Sequence, residues 1–204
     1  MTPSRRLRDL IFVLALVICL FPLLLGVALL ILLLDGRPVF YRSERMKNTT
    51  QAFILWKFRT MTPSRQNGGV SGGDKAERIT PLGAFLRRSR LDELPQLWNI
   101  LCADMSFVGP RPPLRRYVDL FPDLYAQVLE QRPGVTGLAS LVFHRHEERL
   151  LENTASKEET ESIYCRRCIA RKARLDLIYA HRRTGCSDLR LMIATVFRPL
   201  GMHR

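Results

Sequence analysis

Asp92 and Glu93 are adjacent carboxylates set in a run of arginines, and a rigid arginine-proline turn closes the same stretch, LRRSRLDELPQLWNILCADMSFVGPRPP at residues 86–113. Arg87, Arg88 and Arg90 come just before the pair, so the carboxylates stand in a field that favours their ionised form and draws in a polyanion. Pro95 tolerates helix only in the first turn, since a proline further in breaks the backbone ladder. The spacing therefore predicts Asp92 and Glu93 at a helix N-terminus, where free N–H groups and the positive end of the dipole stabilise a carboxylate and also receive a phosphate. Neighbours on a helix diverge by about 100°, which lets one carboxylate attack while the other holds a metal ion. Arg111 lies between Pro110 and Pro112, and the two rings pre-position its guanidinium for bidentate phosphate contact. An isolated Asp-Glu pair ordinarily reads as a helix cap beside a solvated glutamate. The surrounding motif is what gives this one chemical meaning.

A long apolar segment precedes the charged part of the chain. Leu10 to Leu34 carries no formal charge over 25 residues, about 37 Å as continuous helix and enough to cross a hydrocarbon core of about 30 Å. Pro22, near its middle, removes a backbone hydrogen bond and biases Phe21 away from helical geometry. Arg5, Arg6 and Arg8 precede the segment and Arg37, Arg42, Arg45 and Lys47 follow it; basic residues on both sides suit a segment whose two ends face the cytoplasm. Residues 1–36 are therefore expected to form a re-entrant helical hairpin in one leaflet, in place of a single-pass anchor, and residues 37–204 a small cytosolic domain. Within that domain, Val39–Arg42 and Phe53–Phe58 read as strands of a β-hairpin joined by the polar Lys47–Thr50. Ser64 to Asp74, SRQNGGVSGGD, predicts a mobile glycine-rich loop and lacks the ending of a phosphate-binding P-loop. Leu114–Leu129 has apolar residues at helical spacing, and Cys165–Arg183 and Ser187–Phe197 predict two more helices, the last capped by Ser187 and Asp188. The expected fold class is α+β, with amphipathic helices lying on the membrane surface.

Composition narrows the partner. The 204 residues hold 32 Lys and Arg against 19 Asp and Glu, a net charge of +13, which calls for an anion: nucleic acid, anionic lipid or a phosphorylated substrate. The apolar segment favours lipid, since each basic residue near an anionic leaflet adds about 1 kcal/mol of attraction. Five cysteines, one of them inside the apolar segment, argue against a disulfide framework and fit a reducing cytoplasm. Cys165, Cys168, His181 and Cys186 meet the loose spacing of a zinc finger, but the continuous helix expected between them leaves no turn to bring the pairs together. His144, His146 and His203 match no metalloprotease spacing, and no GxSxG nucleophile elbow is present.

Four ordered motifs resemble one family. Lys57-Phe58-Arg59-Thr60-Met61, then Arg78-Ile79-Thr80-Pro81-Leu82-Gly83, then Arg90–Asn99 with Asp104-Met105-Ser106 and Val108–Pro112, and finally Arg132–Ala139 resemble the bacterial sugar transferases, the monotopic phosphoglycosyl transferases, over nearly the whole chain. The resemblance implies that Asp92 attacks the phosphorus of a UDP-sugar to form an aspartyl phosphosugar, that Glu93 helps to bind Mg²⁺, and that UMP leaves before the phosphosugar passes to a polyprenol phosphate. A carboxylate is a competent nucleophile at phosphorus, and Mg²⁺ offsets the charge that otherwise repels it. Arg87, Arg88 and Arg111 are candidate contacts to the substrate phosphates, with Arg132 and Arg145 as further substrate contacts. Arg145, in His144-Arg145-His146, stands near where the family often carries an Asn-Gly-Arg. The implied partners are a UDP-sugar, a polyprenol phosphate and membrane lipid, with no nucleic acid and with a homo-oligomer left open. The implied location is the bacterial inner membrane, the catalytic domain on its cytoplasmic face. A reading of another class also accounts for the charge: a membrane-tethered, non-catalytic protein that binds nucleic acid or another polyanion.

Overall fold

The structure is a computed structural model that describes residues 3–63, 78–152, 154 and 156–197. α1 (Pro3–Leu34) is a single helical element that runs through Pro22, where the sequence predicts a break between two arms. The proline ring deletes one hydrogen bond, but leucine-rich turns without competing polar side chains lie on both sides of it, and the ladder resumes. One stripe of α1 is enclosed, at Val13, Val27 and Ile31, while Ile18, Phe21 and Leu33 face outward with 77%, 60% and 77% of their surface exposed. Both ends are tied to the same body. Arg6 donates to the carbonyls of Ile100 and Leu101 at 2.6 and 2.8 Å. Just past the other end, Arg59 donates to the carbonyls of Asp35, Gly36 and Arg37 at 2.6, 2.8 and 3.1 Å.

β1 (Phe40–Met46) and β2 (Ala52–Phe58) form the expected antiparallel hairpin, with Phe40 opposite Phe58 and Tyr41 opposite Lys57. The Asn48 side chain closes the turn by accepting from the N–H groups of Thr50 and Gln51 at 2.9 and 2.7 Å, the local bond that suits Asn to turns. Strand alternation puts Tyr41 and Lys57 on one face and Phe40, Trp56 and Phe58 on the other. The glycine-rich stretch 64–74 lies outside the described residues. α2 (Pro81–Arg88) starts from Thr80, whose hydroxyl accepts from the Gly83 N–H, with Pro81 at the first helical position. Gly83 is what lets α2 close on the exit of β2, because a Cβ there would run into the Thr60 carbonyl.

Arg90, left-handed at φ 61, turns the chain into a 3₁₀ turn at Leu91–Glu93, and Pro95 then caps α3 (Gln96–Leu101). The carboxylate pair thus precedes α3 by one tight turn instead of occupying its first turn, because Pro95 has no N–H to return to the Leu91 carbonyl. β3 (Ser106–Val108) and β4 (Gly134–Thr136) pair in parallel, a contact that no local pattern predicts. Gly109 and Gly134 permit it: a Cβ on either would meet the backbone of the other. The helix expected over 114–129 is two, α4 (Arg115–Leu120) and α5 (Pro122–Val128), since Pro122 pushes Phe121 out of helical geometry to φ −133, ψ 61.

α6 (Leu138–Val142), α7 (His144–Glu152) and α8 (Lys157–Ile163) lead into a π-helical turn at Tyr164–Ile169, which continues as α9 (Ala170–Arg182). α10 (Gly185–Phe197) begins ahead of Ser187. Thr184 and Ser187 cap it reciprocally, each hydroxyl accepting from the other's N–H, so the helix is capped at Thr184, ahead of the Ser187-Asp188 expected. The helical run from Tyr164 to Arg182 leaves no turn between Cys168 and His181. All five cysteines are free thiols, and among the described residues no group of three His, Cys, Asp or Glu is placed to hold a metal.

One core cluster, around Val13, Leu55, Ile100 and Met105, joins the N-terminal half of α1 to β2, α3 and β3; another, around Val27, Ile31, Phe58 and Leu86, joins its C-terminal half to β2 and α2. Asn99, 1% exposed, links the first cluster to the hairpin. Its amide donates to the Ile54 carbonyl at 2.7 Å and accepts from the Trp56 N–H at 3.1 Å, taking the place of a neighbouring strand along β2. Asn99→Leu should therefore lower stability by about 2–4 kcal/mol, since two strand groups lose their partner. The melting temperature should fall by about 5–10 °C in a chain of this size. An unchanged melting temperature would show that β2 is held without it.

Candidate active site

Asp92 and Glu93 are both buried, at 8% and 9% exposure, and line a groove of about 2180 Å³. That is larger than the roughly 300–1,000 Å³ of an ordinary small-molecule pocket. On a 3₁₀ turn successive side chains diverge by about 120°, and the two carboxylates have opposite surroundings. Glu93 Oε1 accepts from Lys57 Nζ at 2.6 Å and Arg111 Nη2 at 3.3 Å, and Oε2 from Arg90 Nη1 at 3.3 Å. Burial alone would raise the Glu93 pKa; Lys57, Arg111 and Arg90 outweigh it and hold the carboxyl far below the usual carboxylate range.

Asp92 accepts no hydrogen bond and joins no ion pair among the described residues. Burial pushes its pKa up and neighbouring Glu93 adds to that, while Lys57, Arg87 and Arg90 pull against them. Its lone pairs are thus left for an electrophile that enters the groove. Lys57 serves both groups, as Glu93's closest partner and the largest cationic influence on Asp92.

The structure brings most of the other expected residues to this place. Arg87 donates through Nε to Thr60 Oγ1 at 2.9 Å, which fixes its guanidinium at the groove wall. Arg88 and Arg145 line the groove as well, the latter from α7. Arg111, 44% exposed, reaches Glu93 from the rigid proline turn. Arg132 does not join them. It lies outside the groove lining, near Arg6, Asp9 and Asp104, with its buried Nη1 lacking a hydrogen-bond partner among the described residues. Among the groove residues, Lys57 is assigned no role by the motifs alone; its signal was there, as the one charged residue in the strand Ala52–Phe58. Glu147, Tyr164 and Lys172 also line the groove, from three helical segments that share no local pattern.

A buried carboxylate with no hydrogen-bond or ion-pair partner among the described residues, set among guanidiniums and beside a second carboxylate held by three cations, is an arrangement chemically able to present a nucleophile to a phosphate ester. The chain belongs to the bacterial sugar transferase family, whose profile matches residues 2–201, and so to the transferases. It is 39% identical over 137 residues to the uncharacterized sugar transferase EpsL of Bacillus subtilis (strain 168), covering 67% of each chain. It is 32% identical to the UDP-glucose:undecaprenyl-phosphate glucose-1-phosphate transferase of Xanthomonas campestris pv. campestris, over 97% of this chain and 39% of that one. A UDP-N-acetylgalactosamine-undecaprenyl-phosphate N-acetylgalactosaminephosphotransferase of Aeromonas hydrophila is 39% identical over 59% of this chain and 30% of its own. The chain thus spans two thirds of the first relative and well under half of the other two.

The opposed surroundings of the pair can be read directly by NMR of the labelled carboxyl carbons. Asp92 should titrate above the ordinary aspartate range in the wild type and higher still in Lys57→Met, because that change removes the cation that most favours its ionised form. An Asp92 midpoint that stays put in Lys57→Met would show that Lys57 acts on Glu93 alone.

Proposed function

We propose that this chain transfers a phosphosugar from a UDP-sugar to a polyprenol phosphate such as undecaprenyl phosphate, through a covalent intermediate on Asp92. The observation that carries the reading is the asymmetry of the pair: Glu93 is held by three cations while Asp92, equally buried, accepts no hydrogen bond and joins no ion pair among the described residues. In the first step an Asp92 oxygen attacks the sugar-bearing phosphorus. The bond from that phosphorus to the bridging oxygen breaks, and UMP departs with the electron pair. In the second step a phosphate oxygen of the acceptor attacks the same phosphorus and Asp92 is released. Arg87, Arg88 and Arg111 stabilise the charge on the diphosphate and on the departing UMP. Lys57 favours the ionised form of Asp92 and holds Glu93 in place. The names of the relatives, which specify UDP-sugar donors and undecaprenyl phosphate, support the choice of substrates.

The residues fit a Mg²⁺ ion that arrives with the diphosphate. Mg²⁺ takes one or two carboxylates plus phosphate oxygens and water, and among the described residues Glu93 Oε2 has a single 3.3 Å contact, to Arg90. Glu93 would hold the ion, which when bound neutralises diphosphate charge. Purified protein with UDP-glucose or UDP-N-acetylgalactosamine alone should give a burst of UMP approaching one per active site. Asp92→Asn should give neither burst nor covalent labelling. Release of UDP as the sole product would replace phosphosugar transfer by glycosyl transfer.

The seating of α1 supports a location at the membrane. Its ends are tied to the catalytic body by Arg6 and Arg59, its middle points apolar side chains away from it, and a soluble donor meets a polyprenyl acceptor only at an interface. The reading is a helix that enters and leaves one leaflet of the bacterial inner membrane, with the groove on the cytoplasmic face. Tags at the N-terminus and after Arg204 should both be reached from the cytoplasm in intact cells. Labelling of the N-terminal tag from the periplasm would instead establish a full span.

A further inference from the structure

The groove has two walls of different charge. Residues 38–113 contribute nine Lys or Arg against three carboxylates, whereas residues 139–176 contribute three against four. The first wall suits a polyphosphate; the second would repel one, and offers instead a dense set of paired donors and acceptors. At its centre Lys172 Nζ donates to Glu147 Oε2 at 2.9 Å and to Tyr164 OH at 3.4 Å. Lys172 and Glu147 are only 15% and 22% exposed, so their polar atoms are fixed in place and pointed at a partly dry surface. Tyr164 opens the π-helical turn, a distortion frequent at functional sites because it re-aims side chains. Arg111 joins the walls: it pairs with Glu93 and also feels the nearby Tyr164 and Glu147.

We infer that the Glu147–Tyr164–Lys172 cluster is the subsite for the sugar of the donor and discriminates among UDP-sugars. The inference rests on the phosphosugar-transfer reading for the orientation of the donor. A phosphorus held between Asp92 and Arg111 brings its sugar within reach of this wall. A neutral polyol is the chemistry that a charge-balanced row of carboxylate, ammonium and phenol recognises, each hydroxyl meeting both a donor and an acceptor. The nucleoside is also neutral, but its base seeks an open aromatic face. Tyr164 is packed against Tyr117, at 5.2 Å between centroids, while Phe40 and Tyr41 of the hairpin are exposed and line the groove. A site built to hydrogen-bond hydroxyls rejects a donor that leaves its groups unpaired far more strongly than an apolar pocket would.

The test is equilibrium binding to the full-length chain in detergent, in an Asp92→Asn background so that donor is not consumed. UDP-glucose, UDP-N-acetylgalactosamine and UDP are the probes. Tyr164→Phe and Glu147→Gln, both close in shape to the wild type, should each weaken the tighter of the two UDP-sugars about tenfold or more and leave UDP within about twofold, which also serves as the control for folding. Equal weakening of UDP and UDP-sugar would assign the wall to the nucleotide and overturn the inference, as would no change in either. UMP release by the otherwise unaltered chain is measured separately. If it fails while the sugar-selective losses remain, the transfer reading falls and the sugar subsite stands; if it succeeds without them, the reverse holds.

Discussion

A carboxylate that is nine-tenths buried must be compensated or it will take up a proton. Glu93 meets that demand with Lys57 from β2, Arg90 from the left-handed residue before its own turn, and Arg111 from the proline-locked turn after β3. Three segments far apart in the chain are thereby drawn to one point. Removing a single partner from such a pair leaves a buried charge uncompensated, at a typical loss of about 3–5 kcal/mol. Mutual dependence of that size locks the relative placement of hairpin, turn and arginine loop. The hydrophobic clusters bring these segments close; the Glu93 charges fix their relative placement.

The same constraint separates the roles of the two carboxylates. Because Glu93 collects the cations, Asp92 is left with burial and with Glu93's negative charge, and both raise its proton affinity. On the proposed reading Asp92 is a nucleophile, and a nucleophile benefits from this so long as it stays ionised at working pH. Lys57, the principal counterweight, opposes that rise without bonding to Asp92. Divergence by about a third of a turn on the 3₁₀ backbone makes the division feasible; on a strand, neighbours would point to opposite faces and only one would reach the groove.

What the sequence makes legible are the features with local causes. The hairpin was readable from two β-rich runs and an Asn-containing turn, and the carboxylate pair with its arginines from composition and proline placement. α1 was readable as an apolar segment, although Pro22 bends expectation further than it breaks the helix. The rest is long-range. Lys57 and Glu93 are 36 positions apart, and only a lone lysine in an apolar strand hinted at the contact. The β3–β4 pairing rests on two glycines whose need becomes visible only when the backbones meet. Arg132 stood in a strong motif yet lies outside the groove, because the parallel pairing of β3 with β4 that positions its neighbours turns its side chain toward Arg6 and Asp9. Motif membership identifies which residues matter; it does not state to which face each is turned.

The attachment of α1 joins the membrane question to the chemistry. Arg6 holds the end of α3, the helix that leaves the carboxylate turn, while Arg59, two residues beyond Lys57, holds the chain that leaves α1. The two tethers thus grip the elements that carry Asp92–Glu93 on one side and Lys57 on the other. Asn99, on α3, bonds β2 directly and closes that frame. Any force that lipid exerts on the ends of α1 is therefore delivered to the geometry between Lys57 and the carboxylate pair. On the proposed reading, a helix seated in one leaflet does more than retain the protein near its acceptor. It sets the spacing of the charges on which the ionisation of Asp92 depends, so that the site is completed where its lipid substrate is found.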